Sequence, residues 1–300
     1  MTPPHSPERL RFFLGGYDLE MVTIRDLLKE VVPAAYFDKH LGWGAAASAY
    51  QEEIAHCLAE GRVPVLVELA NDLGPDAERV IIIDHHGPRS GADAPSSLHQ
   101  VFALLGLPAA RWTRWFDLVL ANDVGYIPAL LEMGATAEEV ERMRAEDRAA
   151  QGITADQEAE GARAAANREV LPGGKLTVIH LGHSRTAAAV DRLHPVLGGP
   201  GHENLLVCCP DEVNFFGAGT LVRALDARFP GGWFGGGPAG AWILGPSRAL
   251  ARSPARARVA SAGIRMTDGR VRMGRRRCGS TSRSRMRYTA ERRSSRTPAR

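Results

Sequence analysis

Residues 79–87 read Arg79-Val-Ile-Ile-Ile-Asp84-His85-His86-Gly87, an apolar run that ends in one acid and two imidazoles. A short, continuous apolar run is typical of a strand that is buried on both faces of a parallel sheet. Three titratable side chains at the end of such a strand cost stability unless something pairs them. A divalent metal would do so, because carboxylate and imidazole together suit Mn²⁺ and related ions. We therefore predict a metal site here, in preference to an ordinary strand end with polar surface residues.

Around this run, segments with the apolar spacing of a strand alternate with segments that have the apolar spacing of a helix. The alternation predicts an α/β fold, with a parallel sheet and helices on its faces. The predicted strands are 11–14, 63–69 and 79–84, the predicted helices are 19–32 and 44–60, and residues 97–105 and 109–121 are helical or mixed, with 116–121 as a candidate further strand.

A second, smaller α/β unit is predicted after a polar stretch, since 300 residues are enough for two domains. Thr136 and Glu139 have capping-box spacing, which predicts a helix to about Ala150. The resulting division is a first domain (1–135), a helical connector (136–171), a small C-terminal domain that binds substrate (172–245) and a tail (246–300). In the stretch after Thr136 we predict helices at 154–169, 185–194 and 220–229 and strands at 175–181, 204–209 and 213–216, followed by a glycine cluster at 231–237.

The tail differs in kind from the rest of the chain. Residues 247–300 hold seventeen Arg, no Lys and two acids, a net charge of +15, so the net +3 of the whole chain leaves −12 for residues 1–246. This composition predicts disorder. A nucleic-acid-binding arm, a solvated tail and an out-of-frame translation all fit it, and we favour the last because a binding arm has no need to exclude Lys.

Acidic residues follow each predicted strand of the first domain, where open parallel sheets bind their ligands. Asp18 and Glu20 are two residues apart, so their side chains would point the same way on an extended segment. Acids are also favoured at the start of a helix. The acids in question are Asp18 and Glu20 after the first strand, Glu68 and Asp72 after the second, Asp84 at the end of the third and Asp123 after residues 118–121.

Residues 78–87, Glu-Arg-Val-Ile-Ile-Ile-Asp-His-His-Gly, resemble the name-giving motif of the DHH phosphoesterases. That family includes RecJ-type exonucleases, oligoribonucleases, cyclic dinucleotide phosphodiesterases and certain pyrophosphatases. The order of motifs is similar over about residues 11–240, and it implies a parallel α/β domain followed by a smaller domain with a glycine-rich substrate loop. A histidine that usually precedes the first acid is replaced by Gly15-Gly16-Tyr17, and the usual histidine of the glycine-rich loop is missing.

The resemblance also implies roles for individual residues. Asp84 would orient the imidazole of His85 from behind, and His86 would face the substrate phosphate, which makes these two the predicted catalytic residues. Two ions, Mn²⁺ or Mg²⁺, are implied as cofactors. Their predicted ligands are Asp18, Glu20, Glu68 or Asp72, His85 and Asp123.

The second unit offers candidate substrate contacts. Arg185 could neutralise a phosphate, and backbone amides of Gly235, Gly236 and Gly237 could hold one. An ordinary surface arginine and a flexible turn are the alternatives.

The function predicted is that of a divalent-metal-dependent phosphoesterase, which hydrolyses a small nucleotide or short single-stranded oligonucleotide through a metal-activated water. The alternative is a catalytically impaired nucleotide sensor or scaffold of the same fold. The net negative charge of residues 1–246 argues against long duplex nucleic acid as a partner. A homodimer is compatible with the sequence. We expect a cytoplasmic protein with reduced cysteines and no membrane partner, because the sequence has no apolar span, no signal peptide and no C-x-x-C pair.

Overall fold

The sequence run that ends in Asp84 forms the edge of a four-stranded parallel sheet. A computed structural model describes residues 6–85, 95–228, 234–235, 241–244, 264–267 and 270–273. The sheet has the order β2-β1-β3-β4, and its neighbouring strands all pair in parallel. Its strands are β1 (Leu10–Leu14), β2 (Tyr36–Phe37), β3 (Val63–Val67) and β4 (Ile81–Ile83).

Helices cover both faces of this sheet. Phe12 of β1 packs in a core with α1, α3, α4 and α5, whereas the neighbouring Phe13 packs on the opposite face against Tyr50 and Ile54 near α2. Successive side chains of a strand point to opposite faces, so both faces of β1 must be apolar. The helices are α1 (Leu19–Val31), α2 (Gln51–Ala59), α3 (Ser97–Leu104), α4 (Arg114–Glu132), α5 (Ala137–Ala150) and α6 (Ala155–Ala166).

The candidate strand at residues 116–121 was a wrong assignment, because these residues lie in helix α4. The side chain of Thr113 caps the helix by accepting a hydrogen bond from the Phe116 amide at 3.4 Å. An apolar run of this length fits a strand or a buried helix equally well, and the cap favours the helix. The helical conformation is interrupted at Tyr126, whose φ is 60° and ψ is −151°.

Helix α5 starts with the predicted capping box, in which the Thr136 hydroxyl and the Glu139 carboxylate each accept the other residue's backbone N–H. Its Val140 and Met143 are fully buried in the same core as Phe12. The first helix of the predicted connector therefore packs on the first unit.

The second unit contains a six-stranded mixed sheet of order β5-β6-β7-β8-β10-β9. Strands β6 and β7 pair in parallel, and the other neighbours in this sheet pair antiparallel. The predicted fold class, a parallel-sheet domain followed by a second α/β region, is confirmed. The elements are β5 (Glu169–Val170), β6 (Thr177–His180), α7 (Ala187–Val190), β7 (Leu205–Cys208), β8 (Val213–Ala218), α8 (Gly219–Arg228), β9 (Phe234–Gly235) and β10 (Ala241–Leu244).

Part of the tail differs from the prediction of disorder. Strands β11 (Ile264–Thr267) and β12 (Arg270–Met273) pair antiparallel, with Thr267 opposite Arg270. An Asp-Gly pair, residues 268 and 269, separates them in the sequence, and this pair is typical of two-residue hairpin connections. The prediction used composition alone and missed that local signal. The rest of the tail lies outside the described residues.

None of the helices within the described ranges is both long enough and apolar enough to cross a membrane. Cys57, Cys208 and Cys209 are buried, as predicted, and Cys278 lies outside the described residues.

Candidate metal centre

Strands β1, β3 and β4 end at the same edge of the parallel sheet, and polar residues follow each of them. Asp18 and Glu20 come after β1, Glu68 directly follows β3, and His85 comes two residues after β4. Asp123 reaches the same place from helix α4 rather than from a strand.

The imidazole of His85 is the centre of this group. Its Nε2 lies 2.9 Å from Asp123 Oδ2, 3.4 Å from Glu20 Oε2 and 3.4 Å from Glu68 Oε1. These four side chains are almost fully buried, with exposed fractions between 1% and 8%. One ring nitrogen carries at most one proton, so it can donate to only one of the three carboxylates.

The donor set suits a hard divalent cation such as Mn²⁺ or Mg²⁺. Ligand atoms of Glu20, Glu68 and His85 all lie within 4.8 Å of one another. Glu20 Oε2 and Asp123 Oδ2 are shielded from solvent and accept no well-formed hydrogen bond from the described residues. Buried carboxylate oxygens are costly unless a cation or a donor compensates them, so the residues present fit a bound metal.

The pKa values of the clustered side chains also support a cation site. Burial, together with the charge of Asp123, raises the pKa of Glu20 to about 7. Burial and the charges of Glu68 and Asp123 raise the pKa of Asp18 well above its usual value. Burial alone would lower the pKa of His85, but the adjacent carboxylates of Asp123, Glu20 and Glu68 outweigh it and raise that pKa to about 12. Without a metal, the cluster holds protons to limit its negative charge.

Local structure fixes the two acids that follow β1. Asp18 is the N-cap of α1, and its Oδ1 accepts a hydrogen bond from the Met21 amide at 2.9 Å. The helix-start interpretation of Asp18 is therefore correct, and it is compatible with a place in the cluster. Glu20 Oε1 accepts a hydrogen bond from the Leu98 amide in the first turn of α3 at 2.9 Å, while Oε2 faces His85.

Glu68 has an unusual backbone conformation for a residue with a side chain. Its φ is 52°, in the left-handed region, and its amide donates to the carbonyl of Ile83 at 2.8 Å. Such conformations cost about 1–3 kcal/mol and concentrate at functional sites. The turn at Glu68 ends β3 and leaves Oε1 next to His85.

Asp72, the alternative to Glu68, does not join the cluster. It is exposed, and its Oδ1 accepts a hydrogen bond from the Ser48 amide at 2.8 Å, which lowers its pKa. The structure thus brings Glu68, and not Asp72, to His85.

The remaining predicted site residues lie in several places. Asp84 is half-buried beside His85, and its carbonyl accepts a hydrogen bond from Gln100 Nε2 at 3.3 Å. Arg185 is exposed in the second unit, where its amide donates to His183 Nδ1 at 3.1 Å. Gly235 lies in β9 opposite Ile243. His86, Gly236 and Gly237 lie outside the described residues.

The backbone of the segment before Asp18 lies close to neighbouring residues. A Cβ on Gly15 would lie 2.3 Å from the carbonyl oxygen of Glu68, and one on Gly16 would lie 3.1–3.3 Å from Trp43. No side chain fits at Gly15 without moving the backbone. Trp43, which lies against Gly16 two residues before Asp18, is 58% exposed.

A buried polar network behind the cluster was missed by the sequence interpretation. Arg144 and Asp147 of α5, Asn122 of α4 and Asp191 of the second unit are each at least 93% buried, and Arg144 donates hydrogen bonds to the other three. Arg144 and Asp147 lie on the same face of α5 as the buried Val140 and Met143, and the sequence interpretation did not use that spacing.

Comparisons with known proteins find likeness in structure only. No family model matches the chain, and no curated protein matches it. The pGpG-specific phosphodiesterase PggH from Vibrio cholerae has a TM-score of 0.33 at 11% identity, covering 84% of this chain and 98% of that one. A RecJ exonuclease bound to manganese has a TM-score of 0.41 at 15% identity, covering 87% and 91%. RecJ from Thermus thermophilus, in complex with Mn²⁺, has a TM-score of 0.40 at 13% identity, covering 81% and 50%.

RecJ exonucleases are among the proteins named above for the DHH motif.

Proposed function

We propose that this chain is a divalent-metal-dependent phosphoesterase that acts on a small nucleotide or a short oligonucleotide. The observation that carries the proposal is the convergence of three carboxylates, from three separate segments, on one nitrogen of His85. A buried arrangement of this kind is costly as a purely structural feature, and it supports a cation site.

The residues that would hold the metal are those of the cluster: Asp18, Glu20, Glu68, His85 and Asp123. By the resemblance, the site would hold two divalent ions, Mn²⁺ or Mg²⁺. Such ions, when bound, polarise phosphoryl oxygens and activate water at neutral pH.

The chain's own residues would prepare the site for that chemistry. The Leu98 amide holds Glu20 Oε1, which turns Oε2 into the cluster. The left-handed backbone at Glu68 does the same for its carboxylate. By the resemblance, Asp84 would orient His85 and His86 would contact the substrate phosphate.

Exposed Trp43 supports a substrate that carries a nucleobase. It packs on Gly16, in the segment that leads from β1 to Asp18. Aromatic side chains beside a phosphate-binding site provide stacking surfaces for bases, with little preference for base identity. We propose that a base of the substrate stacks on Trp43.

The test is hydrolysis of bis-p-nitrophenyl phosphate and of a dinucleotide, each with Mn²⁺ and with Mg²⁺. Wild-type protein should be active with metal and inactive in EDTA. The double variant His85→Ala/Asp123→Ala should be inactive, whereas Asp76→Asn, which removes an exposed acid bound to Arg79, should retain activity. Metal-dependent hydrolysis that survives the double substitution would refute the proposal.

A nucleotide-binding sensor is the second candidate, because the histidine that usually precedes the first acid is absent from residues 15–17. Calorimetric titration separates the two. Tight binding of Mn²⁺ together with turnover supports the enzyme, whereas nucleotide binding without metal binding or turnover supports the sensor.

A further inference from the structure

We infer that Arg144 is a positioning residue for the metal centre, which holds two of the acid-bearing segments in place through contacts of its guanidinium. The inference rests on the proposed function, because it concerns the same cluster of ligands. Arg144 itself is 1% exposed and lies in α5, outside the cluster.

The guanidinium of Arg144 contacts three polar side chains. Its Nη1 donates to Asn122 Oδ1 at 2.7 Å and to Asp147 Oδ2 at 2.8 Å. Its Nε donates to Asp191 at 3.1 and 3.2 Å. A planar guanidinium presents several donors in a fixed geometry, so these contacts constrain one another.

The contacts of Arg144 fix the helix segment around Asp123 on both sides. Asn122, the residue before Asp123, accepts from Nη1. Tyr126, three residues after it, places its ring 3.9 Å below the guanidinium and donates its hydroxyl proton to Asp191 Oδ1. Tyr126 has a φ of 60°, which interrupts the helical backbone of α4. The side-chain contacts therefore hold this segment in place where continuous helical hydrogen bonding does not.

The second acid-bearing segment is connected through Asp147. The other carboxylate oxygen of Asp147, Oδ1, accepts a hydrogen bond from the Leu19 amide at 3.4 Å. Leu19 lies between Asp18 and Glu20 in the sequence. Arg144 therefore connects the segments of Asp18, Glu20 and Asp123, which together supply three of the five proposed ligands.

A contribution to stability alone does not explain this network well. Buried ion pairs contribute little net stability compared with apolar residues of the same size, whereas they can fix a geometry. Groups that orient metal ligands from outside typically change metal affinity 10- to 100-fold when they are removed.

The test is the dissociation constant of Mn²⁺, measured by calorimetry on the full chain at a temperature where circular dichroism shows every variant folded. Asn122→Ala is the main variant, because it removes one contact and leaves Arg144 paired with Asp147 and Asp191. Arg144→Met is the second. Arg148→Met is the matched control, since Arg148 contacts Asp191 and Glu158 but neither Asn122 nor Asp147 in the part of the chain described.

We expect Asn122→Ala to weaken Mn²⁺ binding about 10- to 100-fold and Arg148→Met to bind close to wild type. A folded Asn122→Ala variant with wild-type affinity would overturn the inference, and so would an equal loss in Arg148→Met. If Arg144→Met does not fold, Asn122→Ala decides the question. Wild-type protein that binds no Mn²⁺ would overturn the proposed function itself, which distinguishes the two failures.

Discussion

Asp123 Oδ2 lies 2.9 Å from His85 Nε2, although Asp123 belongs to a helix and His85 follows a strand. The contact adds a carboxylate from a helix to the acids that follow the strands. It also ties α4 to the sheet edge, so the chemistry of the site and the packing of the helix depend on the same residue.

Replacing Asp123 with Asn should strongly weaken metal binding while preserving the shape of the side chain. The amide cannot supply the negative charge that a divalent cation requires. Because loss of a group outside the ligand set already costs 10- to 100-fold, we expect at least about a 100-fold loss of Mn²⁺ affinity and of phosphodiesterase activity. Calorimetry and hydrolysis of bis-p-nitrophenyl phosphate measure the two effects. An Asp123→Asn variant that binds Mn²⁺ as wild type does would exclude Asp123 from the ligand set.

Glu68→Gln and Asp72→Asn should behave differently, although both replace an acid that follows β3. Glu68 faces His85 from a buried position, whereas Asp72 is exposed and bonded to the Ser48 amide. We expect Glu68→Gln to lower activity by about 100-fold or more and Asp72→Asn to stay close to wild type. Steady-state kinetics at saturating Mn²⁺ make the comparison. The reverse ranking would mean that the acid after β3 had been assigned incorrectly.

The strands and the helix caps could be predicted from the sequence because their causes are local. Residues 81–83 are all isoleucine, and Thr136 with Glu139 forms its capping box within one turn. Asp123 could be placed near the other acids only because each of them follows a predicted strand. The secondary structure predicted before Asp123 was wrong, since Asp123 lies in helix α4. An apolar run of six residues fits a strand or a buried helix, and the sequence interpretation did not use the cap at Thr113, which favours the helix.

The role of Arg144 could not be predicted, because its burial depends on contacts distant in sequence. Its partner Asp191 lies in the other unit, and α5 carries charged residues on all sides. The choice between Glu68 and Asp72 also needed the backbone turn at Glu68, for which the sequence offers no glycine or asparagine as a signal.

The stability of the metal-free protein should fall as the pH rises from 5 to 8. Glu20 has a pKa of about 7 in the folded chain and 4.5 as its ordinary value, so the folded state binds more protons over that range. His85, raised from 6.5 to about 12, acts in the same direction above pH 6.5. Each contribution is fully present below the ordinary pKa and is lost as the pH passes through the raised one.

Urea denaturation in EDTA, at several pH values, measures this dependence. Glu20→Gln is the control, because it removes one titration and keeps an acceptor for the Leu98 amide. The wild type should lose more stability than Glu20→Gln between pH 5 and 8. Mn²⁺ at 100 times its dissociation constant should restore about 2.7 kcal/mol at the upper end of the range. Parallel pH profiles for the two proteins would contradict the assignment of Glu20.

Trp43→Ala should impair turnover of a dinucleotide and leave bis-p-nitrophenyl phosphate unaffected. Trp43 is 58% exposed and belongs to no ligand set, so its loss removes a stacking surface and leaves the cluster intact. Stacking of one base on an aromatic ring contributes about 1–3 kcal/mol, which corresponds to a rise in KM of about 5- to 150-fold. Trp43→Phe, which keeps an aromatic face, should recover most of the loss. Equal effects of Trp43→Ala on both substrates would show that the side chain supports the loop at Gly16, and the nucleobase would then have no assigned contact.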